Sequence, residues 1–236
     1  MNKLIFLYFL LSNIFIFSQY DSGKVTYQYQ FEGIPFEKKV QNEIAQEAIN
    51  NLYKSLLSYS GKINYELTFN NNLSEFKVVE TLNSDNDKNI NNVKNLTGAG
   101  EVVYINTKEK FKLKLLDFFG DKVMVKDSLD DNWNLTQESK KIGNYICYKA
   151  WMKNERNVLI EAWYTPQIPL NIGPRGYGNL PGLIIELKQA TLLYVAKEIV
   201  LNPKKKSVIK IPNHKIISEK EFNKMLTEFD RNKRKS

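Results

Sequence analysis

The chain has 236 residues, of which 42% are hydrophobic and 12% aromatic, with one cysteine and one histidine. This length suits one substantial core, while a lone cysteine excludes an internal disulfide and the pair together argues against a zinc site. The formal net charge is +8, yet residues 202–236 hold 11 basic and 4 acidic residues, whereas residues 19–201 hold 22 of each. The basic character therefore belongs to the C-terminal tail.

The first 18 residues are predicted to be a secretory signal peptide. Lys3 is followed by an apolar run from Leu4 to Phe17, and Ser18 is a small residue at the expected cleavage point. An uncleaved anchor is the alternative, although the run is shorter than the roughly 20 residues of a membrane span. We expect one mature domain, 19–236, in the periplasm, at the outer-membrane periphery or outside the cell.

The first half of the mature chain is predicted to be strand, helix, strand. Residues 23–31 and 61–69 alternate apolar and polar side chains, which is typical of half-buried strands. Between them lies an apolar stripe at helical spacing, which predicts a helix near 40–57 packed on the sheet. The stripe consists of Val40, Ile44, Ala48, Leu52 and Leu56.

From Phe76 onward the pattern predicts further strands, with a hairpin formed by residues 101–105 and 110–119. No connection has the regular helical segments that a parallel sheet requires, so we predict a mainly β fold with an antiparallel sheet. So many strands favour strong curvature, as a half-barrel or barrel-like sheet. Ser218 and Glu221 form a capping box that begins a helix near 218–232.

The segment "EAWYTPQIPLNIGPRGYGNLPGLIIEL" at 161–187 interrupts this pattern. Pro166, Pro169 and Pro174 fix φ and remove three backbone donors, so the segment is not a central strand. Gly178 and Gly182 indicate positive φ or close backbone approach. We predict a stiff loop from Pro166 to Pro181, called the proline loop below.

Several separated features resemble the GLPGLI family of exported Bacteroidetes proteins, a Porphyromonas-type family named after its motif. They are Ala162 to Pro169, Gly173–Pro174, Asn179 to Ile184, Trp133, and "KKIGNYICYKA" upstream. Asn179 replaces the first motif glycine, and Gln167 replaces the usual acid, which weakens a catalytic interpretation of the loop. The resemblance implies export and a β-rich fold but no established activity.

The sequence shows no complete catalytic or metal-binding constellation. His214 lies in the basic tail without a supporting motif, so it is interpreted as a structural or surface residue. Residues 85–96 lack the glycine and glutamate of a calcium loop. Glu161 and Glu186, which flank the proline loop, are the carboxylates that an enzyme would use. We predict no catalytic residues, metal or cofactor.

Three functions remain open. The first is a non-enzymatic binding or carrier protein that holds an apolar ligand in a groove rimmed by the proline loop. The second is an interaction partner of outer-membrane machinery without a small ligand, and the third is a carboxylate-dependent enzyme. The predicted rim residues are Trp163, Tyr164, Pro166, Pro169, Pro174, Tyr177, Leu180 and Pro181. The basic tail predicts weak contact with anionic lipid or polysaccharide, with a solvated fringe as the alternative, and no nucleic acid is expected for an exported protein.

Overall fold

The computed structural model describes residues 20–33, 42–79, 93–118, 120–154 and 157–233. The predicted signal peptide lies outside the described residues. In those residues twelve strands and two long helices follow one another along the chain. They are β1 (Ser22–Phe31), α1 (Glu43–Tyr59), β2 (Asn64–Asn70), β3 (Leu73–Val78), β4 (Val102–Asn106), β5 (Phe111–Phe118), β6 (Asp121–Ser128), β7 (Asn134–Ile142), β8 (Tyr145–Lys153), β9 (Leu159–Thr165), β10 (Leu183–Gln189), β11 (Leu192–Leu201), β12 (Lys215–Ser218) and α2 (Glu219–Lys233).

The twelve strands form one sheet in the order β12-β6-β5-β4-β3-β2-β1-β11-β10-β9-β8-β7. All neighbours are antiparallel except β12 and β6, which are parallel. The predicted mainly β, antiparallel-dominated fold is therefore confirmed. The barrel-like curvature is not confirmed, because the sheet is open and not strongly curled, with β12 and β7 at its two edges.

Both edge strands of the open sheet are protected from pairing with another chain through their unpaired backbone groups. Beside β12, α2 packs Phe222 and Met225 on the apolar cluster of β6 and β12. At the other edge, β7 is a mostly exposed strand with lysines at 140 and 141, and its register with β8 shifts between Leu135 and Ser139. Charges and an irregular register both discourage pairing with another chain, so closure into a barrel is not required.

Helix positions agree with the sequence prediction, but the buried face of α1 is shorter than its stripe. The helix begins after Asn42, whose side chain accepts a hydrogen bond from the Ala45 N–H. Leu56 is buried, whereas Ile44 is 80% exposed. Only the C-terminal part of α1 therefore packs on the sheet. Val40 lies outside the described residues.

The core lies on one face of the sheet. Its largest fully buried side chains include Tyr27, Tyr29, Tyr65 and Tyr194, and the rings of Tyr65 and Phe76 stack at 5.2 Å. The Tyr29 hydroxyl donates to the Leu56 carbonyl at 3.3 Å, which ties α1 to the sheet. The Tyr27 hydroxyl donates to the carbonyl of Ile184, next to the proline loop. Ile168, Ile172 and Leu180 of the loop belong to the same buried cluster, so the loop packs across this face as part of the core.

Within the described residues, no helix has the length and apolar character that a membrane span needs.

Candidate functional site

The proline loop folds back on itself because its glycines allow backbone strands to touch. A Cβ atom on Gly178 would lie 2.5 Å from the Asn171 carbonyl oxygen, and one on Gly182 would lie 2.1 Å from that of Thr165. Asn179 has φ of +61°, in the left-handed region that asparagine tolerates. The asparagine that replaces the motif glycine therefore keeps the turn. Its N–H donates to the Asn171 carbonyl at 3.1 Å.

The segment that follows β6 holds the motif turn in place. Asp131 Oδ2 accepts a hydrogen bond from the Gly178 N–H at 2.9 Å, and Trp133 Nε1 donates to the Gly178 carbonyl at 2.8 Å. Lys112 Nζ lies 3.4 Å from Asp131 and 3.2 Å from Asp127. Burial works against the charge of Lys112, but the two carboxylates outweigh it and raise its pKa. A lysine of β5 therefore braces the carboxylate that holds the loop.

A second anchor is Arg175, which has φ of +58° at the tip of the loop. It donates to the Leu96 carbonyl at 3.1 Å and to the Tyr194 hydroxyl at 3.2 Å, and it lies 3.6 Å from Glu101. Burial works against its charge, but Tyr194 and Glu101 outweigh this effect and raise its pKa. The loop tip is therefore fixed over the tyrosine core.

One side of the loop borders a groove of about 430 Å³. The loop supplies one wall, and the turns between β2 and β3 and between β4 and β5 supply the other. Its lining comprises Tyr20, Asp21, Phe69, Asn71, Asn72, Leu73, Ser74, Thr107, Lys110, Leu129, Pro169, Leu170, Asn171, Ile172 and Asn179. We call this space the groove.

The groove contains a buried polar group without a partner. The Ser74 side chain is 2% exposed, and its hydroxyl has no hydrogen-bond partner in the structure. A buried hydroxyl without a partner is unfavourable by about 1–3 kcal/mol. Ser74 lies beside Phe69 of β2 and Ile105 of β4 on the loop-covered face. One residue of the groove lining therefore carries a buried hydroxyl without a partner.

The other side of the loop borders a wider cleft of about 600 Å³. Five of its nine charged lining residues are paired with one another, since Lys112 contacts Asp127 and Asp131, and Arg175 contacts Glu101. These pairs hold the loop and its supporting segment together. The cleft is therefore explained as structure around the loop.

The predicted rim residues do not all meet at one place. Pro169 lines the groove, whereas Tyr177 lines the cleft on the opposite side of the loop. Pro174 and Leu180 are buried residues of the loop itself, and Pro166 and Pro181 are exposed at its two ends. Trp163 and Tyr164 are consecutive in β9 and point to opposite faces of the sheet, with Tyr164 on the same face as the buried Ala162 and Ile160. They therefore do not share a site.

Trp163 belongs to a charged cluster on the face opposite the loop. Lys140 lies 4.4 Å from the centre of its ring and 2.5 Å from Glu186. Glu161 is paired with Lys149 at 2.9 Å. The two acids considered for catalysis are thus each engaged by a lysine, on the face away from the groove.

Cys147 is buried beside this cluster, as its aromatic sequence neighbours predict. Burial, with a smaller contribution from Glu186, raises the pKa of its thiol to about 11. The thiol is therefore protonated at neutral pH and is a poor nucleophile. Gln167, which replaces the usual acid, accepts a hydrogen bond from the Ile146 N–H at 2.8 Å and so has a structural contact. Among the described residues, no group of three or more His, Cys, Asp or Glu side chains is placed to hold a metal ion.

Most of the groove lining was missed by the sequence analysis. Asn71, Asn72 and Thr107 lie in turns far from the loop in sequence, and Ser74 looked like an ordinary strand residue. The run of asparagines at 70–72 was a signal for a turn, and Asn71 has φ of +51°. That this turn faces the proline loop is decided by the pairing of β2, β3 and β4.

Comparison with known families agrees with the motif. Residues 152–186 match the sequence model of a family described as "Protein of unknown function (Porph_ging)". The resemblance to the GLPGLI-type family is confirmed. The matched residues run from the end of β8 through β9 and the proline loop into β10. The family signature therefore coincides with the segment that packs over the core.

Two solved structures share the fold. The structures of PNGF-II in the C2 and P21 space groups each superpose with a TM-score of 0.54 at 17% sequence identity, covering 86% and 87% of this chain. This chain spans about a third of the length of PNGF-II, 32% and 33% respectively. At this identity the likeness shows the fold alone. No curated protein sequence matches the chain.

Proposed function

We propose that this GLPGLI-type protein is a non-enzymatic binding protein of the carrier type, exported by its first 18 residues, and that its ligand occupies the groove. The loop and the turns of β2–β3 and β4–β5 supply the groove's two walls, so the proposal does not require barrel-like curvature. Anchoring at both Gly178 and Arg175 holds the loop wall in place before a ligand arrives. A preformed wall lowers the entropy lost on binding.

The observation that carries the proposal is the unpartnered Ser74 hydroxyl in the groove lining. Native proteins pair nearly all buried polar groups. Because the hydroxyl oxygen is itself buried, a ligand must displace neighbouring lining groups before it can supply an acceptor or donor to Ser74 and regain the free energy that the empty groove forgoes.

The lining also specifies the ligand's chemistry. About half of it is apolar, including Phe69, Leu170 and Ile172, and the rest is dominated by four asparagines, a serine and a threonine. Carboxamides and hydroxyls both donate and accept. Asp21 and Lys110 carry the only two charges among these lining residues, and they cancel. The groove therefore suits a neutral ligand with one apolar side and several hydrogen-bonding groups.

Native mass spectrometry of protein purified from the cells that make it tests the proposal. We expect a bound small molecule on the wild type that is lost from Ser74→Ala. Ser22→Ala is a matched control, because Ser22 is the second buried hydroxyl without a partner and does not line the groove. Since neither hydroxyl has an internal partner, both variants should be at least as stable as the wild type. Ligand-free wild type, or equal occupancy in both variants, would contradict the proposal.

The second candidate function is docking to an envelope protein without a small ligand. Leu135, Ile146 and Tyr148 at the β7–β8 edge are 59%, 53% and 38% exposed, which favours a partner surface there. Crosslinking in whole cells separates the two functions, since docking requires one reproducible partner that is lost when Leu135 and Ile146 are changed to serine.

A further inference from the structure

Residues 203–214, called the strap below, connect β11 to β12 without forming helix or strand. Two contacts fix the strap to the rest of the molecule. Asn70 Nδ2 donates to the Ser207 carbonyl at 2.9 Å. Ile209 packs against the apolar cluster of Tyr104, Leu113 and Met124. The strap is therefore held at its middle, and the side chains on either side of Ile209 face solvent.

The strap is basic and contains no compensating acid. From 202 to 218 the chain has five lysines and no aspartate or glutamate. The five are Lys204, Lys205, Lys206, Lys210 and Lys215, and all are exposed. One of them, Lys206, lies 3.9 Å from Asp21, and both partners are about half exposed, so this pair is weak. The positive charge of the tail is thus concentrated where it can meet an anionic partner.

An exposed apolar side chain lies among the strap lysines. Val208 is 78% exposed and sits between Lys206 and Lys210, and Ile216 beyond the strap is 54% exposed. A soluble polyanion offers nothing to an exposed valine. A bilayer offers both phosphate groups for lysines and a headgroup–acyl boundary for apolar side chains. Lysines around a valine therefore favour lipid over polysaccharide.

We propose that the strap docks this protein on the surface of an anionic lipid bilayer. Lys204, Lys205, Lys206 and Lys210 contact lipid phosphates, and Val208 enters the boundary between headgroups and acyl chains. Ile209 stays in the protein and holds the strap against the sheet while its neighbours face the membrane. No strap residue lines the groove, so a failed groove proposal leaves the strap proposal standing.

Co-sedimentation with vesicles tests the proposal. The wild type is expected to bind phosphatidylcholine vesicles containing phosphatidylglycerol and to bind pure phosphatidylcholine weakly. Changing one strap lysine to glutamine should weaken binding about fivefold, and Val208→Ser should weaken it about threefold to tenfold. The lysine control changes exposed lysines elsewhere in the molecule to glutamine and should leave binding unchanged. These controls are Lys62, Lys108, Lys122 and Lys141.

Competition with dextran sulfate separates lipid from polysaccharide. The lipid proposal is overturned if two results occur together. Val208→Ser would bind the vesicles as tightly as the wild type, and the lysine variants would lose affinity for vesicles and for dextran sulfate to the same extent. The strap would then be a general polyanion site. The proposal is also overturned if substitutions at the strap lysines and at the control lysines weaken vesicle binding equally, because net charge alone would then explain binding. Circular dichroism of each variant verifies that the fold is retained.

Discussion

At the scale of single residues, the GLPGLI motif is explained by contacts that only small or left-handed residues permit. Gly178 and Gly182 each bring backbone within reach of a carbonyl oxygen, at Asn171 and Thr165. Asn179 takes the left-handed conformation and adds a hydrogen bond from its side-chain amide to the Asp131 carbonyl at 3.3 Å. The asparagine therefore does more than replace a glycine, because it links the motif to the segment that supports it.

The first prediction concerns Gly182. Gly182→Ala places a methyl group against the Thr165 carbonyl, so we expect the free energy of unfolding to fall by about 3 kcal/mol. Gly61→Ala is the matched control, since Gly61 has φ of +76° but no atom within 4 Å of the added methyl. In the control, the free energy of unfolding should fall only by the conformational cost of a side chain at positive φ, about 1 kcal/mol. If urea unfolding shows the same loss of stability in Gly182→Ala and Gly61→Ala, close packing is not the reason for a glycine at position 182.

At the scale of elements, α2 begins where the sequence placed it, at a capping box. Glu221 N–H donates to Ser218 Oγ at 3.2 Å, and Ser218 N–H donates to Glu221 Oε2 at 2.8 Å. The Ser218 N–H and hydroxyl both donate to the Glu221 carboxylate and lower its pKa. Local sequence was sufficient here because every partner lies within four residues.

The second prediction is a pH dependence of the first turn of α2. Because its folded-state pKa is lowered, ionised Glu221 stabilises the turn above the ordinary pKa of about 4.3. That stabilisation is lost as the pH falls through the lowered value. The protection factors of the first-turn amides, which correct for the slower intrinsic exchange in acid, should therefore fall on acidification in the wild type. Glu221→Gln should show lower protection factors at neutral pH and little further fall, and an identical pH profile of protection in both proteins would refute the assignment.

At the scale of the whole molecule, the proline loop connects β9 and β10 to the half of the sheet that contains β4, β5 and β6. Arg175 contacts Tyr194 of β11 and the segment at Leu96, and Gly178 is held by Asp131 after β6. These contacts span from 19 to 79 residues in sequence. The loop therefore unites the two halves of an open sheet that has no closing strand pair.

The third prediction tests this link between β5 and the loop. Asp131 is 7% and Lys112 12% exposed, so Lys112→Met leaves a nearly buried carboxylate group with one partner fewer. Asp131→Ala should cost about 1–3 kcal/mol, since it leaves Lys112 with Asp127 alone and releases the Gly178 N–H. The double variant should cost less than the sum of the two single variants. Strict additivity in urea unfolding would mean that the two residues act separately.

The sequence by itself determined the β-rich class, the two helices, the capping box, the buried cysteine and the family motif. Each of these depends on residues close in the chain or on a periodic pattern. It did not predict β7, whose residues are mostly exposed and lack alternation, or β12, which is four residues long.

Only the tertiary structure decided the groove, the placement of the rim residues and the openness of the sheet. Ser74 became notable because strand pairing buries its hydroxyl next to the proline loop without a partner. Trp163 and Tyr164 were separated because consecutive strand residues face opposite sides. Curvature was not decided by strand number, since α2 and a charged, irregular β7 protect the edges of an open sheet. Contacts between residues far apart in the chain depend on how strands pair, and no local pattern specifies that pairing.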